Sequence, residues 1–374
     1  MPVESVEIRE INLPLVSPFE TSFGVEHVKE AIIVALKKNG VTAYGECVAA
    51  SGPWYSEETI ASAKYIIKQL LAPIVLKEEL DSPASFIDRT KAIRGNNMAV
   101  ATVEMGLWDL MGKLRDTSLS TLIGGEKKEV QVGVSIGIQP TIADLLDNIR
   151  SYLNDGYRRI KIKIKPGYDL EPVKEIRKKY PKILLQVDAN SAYSLQDSNM
   201  LSELDTFDLL LIEQPLAHDD IIDHSKLQKL LNTPLCLDES IHSVEDARKA
   251  IEIGACRIIN IKAGRMRGLA CSKNLHDLCQ LHKIPVWCGG MLETGIGRAF
   301  NVALASLSGF TLPGDISASK RYFKRDIITK EFELTKDGTL EVPTAPGIGV
   351  DVDSKLLDAC TTSKETLTVQ QFRP

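Results

Sequence analysis

The sequence holds little of what redox, zinc, membrane or nucleic-acid proteins need. Its seven cysteines are odd in number and scattered, and no two form CxxC. That argues against a disulfide framework or a zinc site, and for reduced, mostly buried thiols in a cytosolic chain. No basic run occurs, and the net charge of −5 argues against a nucleic-acid partner, which would call for a basic face. No uncharged apolar run is long enough to span a bilayer. The opening Met1-Pro2-Val3-Glu4-Ser5 lacks the basic and apolar regions of a secretory signal. A cytoplasmic location with no membrane partner is expected. His218, His224, His242, His276 and His282 show no ligand spacing and read as surface residues or caps.

The 374 residues, 44% of them hydrophobic, are enough for more than one domain and too few for three. Strands are expected at 3–13, 31–38 and 42–48, the last two joined by an Asn39-Gly40 hairpin turn. Helices are expected at 56–70 and 97–114, the second with Val100, Val103, Leu107, Leu110 and Leu114 at helical spacing. Residues 1–125 therefore read as an α+β unit. In 126–323, eight short apolar runs (132–138, 159–164, 183–187, 209–212, 234–237, 257–261, 285–288 and 310–312) alternate with amphipathic stretches. Such runs suit a parallel sheet buried on both faces, and eight of them predict a TIM-like (β/α)8 barrel. A doubly wound open sheet is the alternative, but no glycine-rich phosphate fingerprint follows the first run. Beyond 323 the rhythm stops. Segments 331–334 and 339–342 flank Lys336-Asp337-Gly338 as a predicted hairpin, and 324–374 is expected to pack back on the N-terminal unit.

The charges fall periodically. Lys161-Ile162-Lys163 ends the second run, Asp188 the third, Glu213 the fourth, Asp238 the fifth and Lys262 the sixth. From Lys163 the steps are 25, 25, 25 and 24 residues. In a barrel this phase is the C-terminal mouth, where active sites sit. Neighbouring strands lie about 5 Å apart, so Asp188, Glu213 and Asp238 converge. Three unbalanced carboxylates would repel one another and resist desolvation. A hard divalent ion resolves the conflict. With oxygen ligands only, Mg²⁺ suits the site, with Mn²⁺ as the other candidate, and Zn²⁺ does not. Lys161 and Lys163 share a strand face, and Lys262 comes from the far side of the acids. A small-molecule carboxylate on the ion would lie between ammonium groups. Lys163, crowded by Lys161 and the ion, would be partly neutral and able to act as general base. The competing readings are ordinary surface charges at strand ends, a Schiff-base or pyridoxal-phosphate lysine enzyme, and a metal-binding scaffold without catalysis.

Lys161-Ile162-Lys163, Asp188-Ala189-Asn190, Glu213-Gln214-Pro215, Asp238-Glu239-Ser240 and Ile261-Lys262-Ala263-Gly264 together resemble the enolase superfamily, in its muconate cycloisomerase-like subgroup. Lysine bases working with Mg²⁺ are a known property of enolase-superfamily sites, so that chemistry is the family's. Pro18 to Gly24, Gly45-Glu46-Cys47, Pro53-Trp54-Tyr55, Ser135-Ile136-Gly137, Gly289 to Arg298 and Leu312 to Ser317 resemble most the o-succinylbenzoate synthase/N-succinylamino acid racemase family. The resemblance covers nearly the whole chain. It implies an N-terminal capping domain, completed by the C-terminal segment, over a modified (β/α)7β barrel.

The resemblance implies roles residue by residue. Asp188, Glu213 and Asp238 would bind Mg²⁺, with Asn190 and Glu239 behind them. Lys163 and Lys262 would face each other across the substrate, and Lys161 would neutralise its carboxylate. Phe19 and Phe23 would sit on a capping loop, with Ser135, Gly290, Met291 and Leu292 in the pocket wall. Plain core is an equal reading for the two phenylalanines. Arg265 is either a selector of substrate or an ordinary surface arginine. The implied activity is a hydro-lyase, o-succinylbenzoate synthase of menaquinone biosynthesis, with N-succinylamino acid or N-acylamino acid racemase (an isomerase) as the alternative or second activity. Muconate cycloisomerase ranks lower. Dipeptide epimerase does too, because Asp315-Ile316-Ser317 replaces the Asp-x-Asp of that group. A homo-oligomer is expected.

Overall fold

Asn39 and Gly40, both at positive φ (50° and 75°), turn the chain between the strands Val25–Lys38 and Val41–Cys47, as type I′ hairpins require. These strands belong to a four-stranded antiparallel sheet ordered Thr361–Leu367, Ser5–Glu20, Val25–Lys38, Val41–Cys47. The computed structural model describes residues 2–372.

Alternation along the sheet splits two cores. Ile32, Val34 and Leu36 pack with Val100, Val103 and Leu107 of the helix Asn97–Leu114. Ala31 and Ile33 join the larger core that the barrel occupies. The helix lies close on the sheet: a Cβ on Gly45 would fall 2.0 Å from the Thr102 carbonyl oxygen. The helix expected at 56–70 starts later and runs further. Thr59 and Ser62 form a capping box that fixes Ile60 as its first residue. It then passes through a π turn, Ile67–Leu71, into Ala72–Lys77. The π turn ends two residues before Pro73, which has no N–H for an ordinary helical bond.

The barrel sheet has seven parallel strands: Val134–Ile136, Arg159–Lys163, Leu184–Asp188, Ile212–Glu213, Leu235–Leu237, Ile258–Ile261 and Val286–Cys288. The eighth run forms isolated bridges, Phe310 to Val286 and Gly314 to Val132. Gly133 N–H donates to the Gly314 carbonyl at 2.8 Å, and Asp315 N–H to that of Cys288 at 2.8 Å. The segment thus joins the two edge strands. Pro313, without an N–H, interrupts it as a strand.

The C-terminal hairpin expectation is corrected. Lys336 to Gly338 does make a turn, with Gly338 N–H on the Thr335 carbonyl at 3.0 Å, but Thr339–Glu341 pairs with Glu129–Gln131. Leu340 lies opposite Val130, and both are buried. Residues 331–334 are held elsewhere: Ser319 N–H donates to the Phe332 carbonyl at 2.9 Å, and Asp326 N–H to Glu331 at 2.8 Å. Among the described residues, no helix is long and apolar enough to cross a membrane.

Candidate active site

Each mouth residue is placed by strand register. Lys163 lies opposite Asp188, and Asp188 opposite Glu213. Asp238 and Lys262 directly follow Leu235–Leu237 and Ile258–Ile261. Lys161, Lys163, Asp188, Glu213, Asp238 and Lys262 are at most 7% exposed. Surface charge at strand ends is therefore not what they are.

The ammonium and carboxylate groups interlock. Lys163 Nζ donates to Asp188 Oδ2 at 2.7 Å and to Asn190 Oδ1 at 2.6 Å. Lys161 Nζ lies 3.0 Å from the same Asp188 Oδ2, 2.9 Å from Glu213 Oε2 and 2.5 Å from Asp315 Oδ2. The Asp188 carboxylate thus stands between the two lysines expected to crowd each other. Lys262 Nζ reaches Asp238 Oδ2 at 2.7 Å and the Tyr55 hydroxyl at 3.1 Å. Asn190 in turn donates to Glu239 Oε1 at 2.8 Å.

Burial and charge set the protonation. Burial would raise the Asp188 carboxyl, but Lys163 and Lys161 overcome it and hold Asp188 well below the usual carboxylate range. Burial, and then the Asp188 charge, push Glu213 up to about 7. Burial also raises Glu239, again with Asp188 next in effect. For Lys161, burial lowers the ammonium, yet Asp315, Glu213 and Asp188 outweigh it and raise the group. Lys262 is raised too: burial opposes this, and Tyr55, Glu213 and Glu239 prevail.

The donor chemistry fits a hard divalent ion. Asp188, Glu213 and Asp238 offer only oxygen, Lys161 already sets one cation between two of them, and Glu239 Oε2 is buried with no partner among the described residues. As placed, each acid is turned onto a cation. No three acidic, histidine or cysteine side chains among the described residues gather about one point.

Phe19, Phe23 and Ser135 line a cavity of about 200 Å³ above this cluster. Lys161, Lys163, Lys262 and Asn190 form part of its wall, as do Gly290, Met291 and Leu292. Asp188, Glu213, Asp238 and Glu239 are not among its lining residues. Phe19 is buried and Phe23 is 38% exposed. Ser135 Oγ is buried and has no partner among the described residues.

The sequence left Arg265 open between two readings and missed several other neighbours of the site. Arg265 is no surface residue: it is buried, ion-paired to Asp238, and donates to the Ile241 carbonyl at 2.6 Å. The Tyr55 hydroxyl lies 3.1 Å from Asp238, Lys262 and Arg265 alike. Arg159 is fully buried and pairs with Asp315 at 2.7 Å. Asn260 donates to Glu213 Oε1 at 2.8 Å. Strand alternation could have found two of these, since Asn260 stands two before Lys262 and Arg159 two before Lys161. His224 and His276 also depart from the surface reading. Both are buried and pin loops, His224 Nε2 accepting from Leu216 N–H at 3.2 Å and His276 Nε2 from Gly309 N–H at 2.9 Å.

Known proteins are similar to this chain over nearly its whole length. A family described as enolase C-terminal domain-like matches residues 144–356. Another, the mandelate racemase/muconate lactonizing enzyme N-terminal domain, matches residues 4–124. An o-succinylbenzoate synthase of Geobacillus stearothermophilus is 52% identical, over 96% of each chain. An N-succinylamino acid racemase of Amycolatopsis is 46% identical, over 97% of this chain and 99% of its own. A solved structure of an enolase-superfamily member from Listeria innocua has a TM-score of 0.95 at 44% identity, covering 99% of this chain and 100% of that one.

Proposed function

The chain belongs to the mandelate racemase/muconate lactonizing enzyme family of the enolase superfamily, and from that premise we propose that it is an o-succinylbenzoate synthase. The observation that carries the reading is the wall of the cavity, where Lys163 and Lys262, from the second and sixth strands, share one small chamber with Lys161. The substrate is 2-succinyl-6-hydroxy-2,4-cyclohexadiene-1-carboxylate. Its proton alpha to the ring carboxylate is weakly acidic, and charge develops on that carboxylate as the proton leaves. Asp188, Glu213 and Asp238 would hold Mg²⁺, with Mn²⁺ as the other candidate, and the ion supplies positive charge beside the carboxylate when bound. Lys161 adds an ammonium there, where stabilisation of the enediolate counts most. Lys163 takes the proton and returns it to the departing hydroxyl, so water leaves and the ring becomes aromatic. Asn190 and Asp188 orient Lys163. Lys262 stabilises the charge from the other side, held by Asp238 and Tyr55. Phe19, Phe23, Ser135, Gly290, Met291 and Leu292 enclose the rest of the substrate.

Racemisation of N-succinylamino acids is the second reading. It is favoured by the two lysines and by the 46% identical racemase: one lysine removes the proton and the other delivers one to the opposite face. The same reading carries a cytoplasmic, self-associating enzyme, which gel filtration checks. The function is tested by giving Mg²⁺-loaded protein the cyclohexadiene and following loss of diene absorbance. Turnover abolished by a chelator is expected. Silence on the diene together with rotation change on an N-succinylamino acid would replace the synthase by the racemase.

A further inference from the structure

The cavity holds four lysines, 29, 161, 163 and 262, and the chemistry above uses three. Lys29 lies in the strand Val25–Lys38, at the parity of Ala31 and Ile33, whose side chains join the barrel-side core. It is 4% exposed. Its ammonium donates to the Met291 carbonyl at 2.9 Å and forms no ion pair among the described residues. A buried lysine with no carboxylate in contact is uncommon. The other three cavity lysines each lie within 3.0 Å of a carboxylate.

The surrounding acids are near Lys29, but among the described residues none is in contact with it. Glu46 feels the Lys29 charge, but its oxygens accept from Thr294 N–H at 3.0 Å, the Thr294 hydroxyl at 2.6 Å and Gly297 N–H at 2.8 Å. Glu26 and Glu30 line the same cavity without pairing to it. An ammonium has three donors, and among the described residues the only acceptor Lys29 has is a neutral carbonyl. Lys29 therefore brings to the cavity wall an ammonium that, among the described residues, no carboxylate touches, whereas Lys161, Lys163 and Lys262 each touch one.

We propose that Lys29 receives a second carboxylate of the substrate, the one at the far end of the succinyl chain. The assignment rests on the reading of the previous subsection and deepens it, because it makes the site one for dicarboxylates: one carboxylate at the mouth, the other at Lys29. A lysine suits this task, since a compact ammonium tolerates variation in chain geometry that a bidentate arginine would not. The bond to Met291 gives Lys29 a second effect, as it ties the substrate's far end to the Gly290 to Leu292 wall.

The test is calorimetric binding of the product, o-succinylbenzoate, and of its analogue with the succinyl carboxylate replaced by a primary amide, to Mg²⁺-loaded full-length protein. Wild type should prefer the acid by about tenfold or more, the worth of one charge-assisted hydrogen bond. Lys29→Met should lose that preference and Lys29→Arg should keep most of it. Lys29→Gln takes the place of Lys29→Met if the latter does not fold. A folded Lys29→Met or Lys29→Gln protein with the wild-type preference, or a wild type that binds acid and amide equally, would overturn the assignment alone. Wild type that binds neither molecule would overturn the synthase reading, and the assignment with it. A residue that merely braced the 290–292 wall would weaken both ligands together and leave their ratio unmoved.

Discussion

Two sets of buried carboxylates do different work in this molecule. At the barrel mouth Asp188, Glu213 and Asp238 face ammonium and guanidinium groups. Elsewhere the partners are backbone N–H groups at helix starts. Glu58 accepts from Met98 and Ala99 N–H at 2.7 and 3.0 Å, and Glu104 from Leu269 and Ala270 N–H at 2.9 Å each. The helices they serve, Asn97–Leu114 and Leu269–Leu281, have no side-chain cap of their own. Because Glu104 lies in the first of these helices and caps the second, it joins the sheet domain to the barrel. Burial pushes Glu58 and Glu104 up to about 7, because neutral dipoles offset less of the desolvation than a full charge does. Asp188, just as buried, is held low by two lysines. Charge against charge gives a reactive cluster, whereas charge against dipole gives a joint.

Removing one acid from each set should separate these roles. Asp188→Ala strips a partner from Lys163 and Lys161 together. Breaking a buried pair this way costs about 3–5 kcal/mol, read from urea unfolding, and turnover should vanish as well. Glu104→Ala should cost less, about 1.5–3 kcal/mol for a charged acceptor, and the folded enzyme should keep its kcat. A kcat lost in proportion to stability would erase the distinction between site and joint.

The joint should also be visible in the pH dependence of stability. A carboxyl raised from 4.5 to about 7 in the folded state is protonated there while the unfolded chain has already released its proton. The folded state therefore binds more protons between those pH values, so this group's contribution falls as pH rises from 4.5 to 7 and is flat above. Glu104→Gln should remove that fall from the pH profile of Tm. The smallest effect belongs to pairs that are neither buried nor joining: Arg248→Ala breaks exposed contacts to Glu245 and Glu252 and should leave Tm and kcat unchanged within error.

Much of the mouth was legible because a barrel repeats. Strand alternation and a step of 24 or 25 residues mark Lys163, Asp188, Glu213, Asp238 and Lys262 without knowledge of any contact. The eighth strand was less legible, since Pro313 leaves only bridges there, and with it Asp315 was missed as a partner of Lys161. Tyr55 and Lys29 come from the sheet domain and meet the barrel only in three dimensions. The caps by Glu58 and Glu104 span 40 and 165 residues of chain, so no local signal announces them. The hairpin at 336–338 was half right. Its turn is local and formed, but its strand partner is decided by the burial of Leu340 against Val130, some two hundred residues away.

The central claim is that Lys163 is the base of a proton transfer, and Lys163→Ala tests it most directly. Asp188 keeps Lys161 as a partner in this variant, so the fold should survive by circular dichroism and Mg²⁺ should still raise Tm. On the cyclohexadiene, turnover should fall by at least about a hundredfold, the usual worth of a general base. A folded, Mg²⁺-responsive Lys163→Ala protein that dehydrates the diene at the wild-type rate would contradict the account.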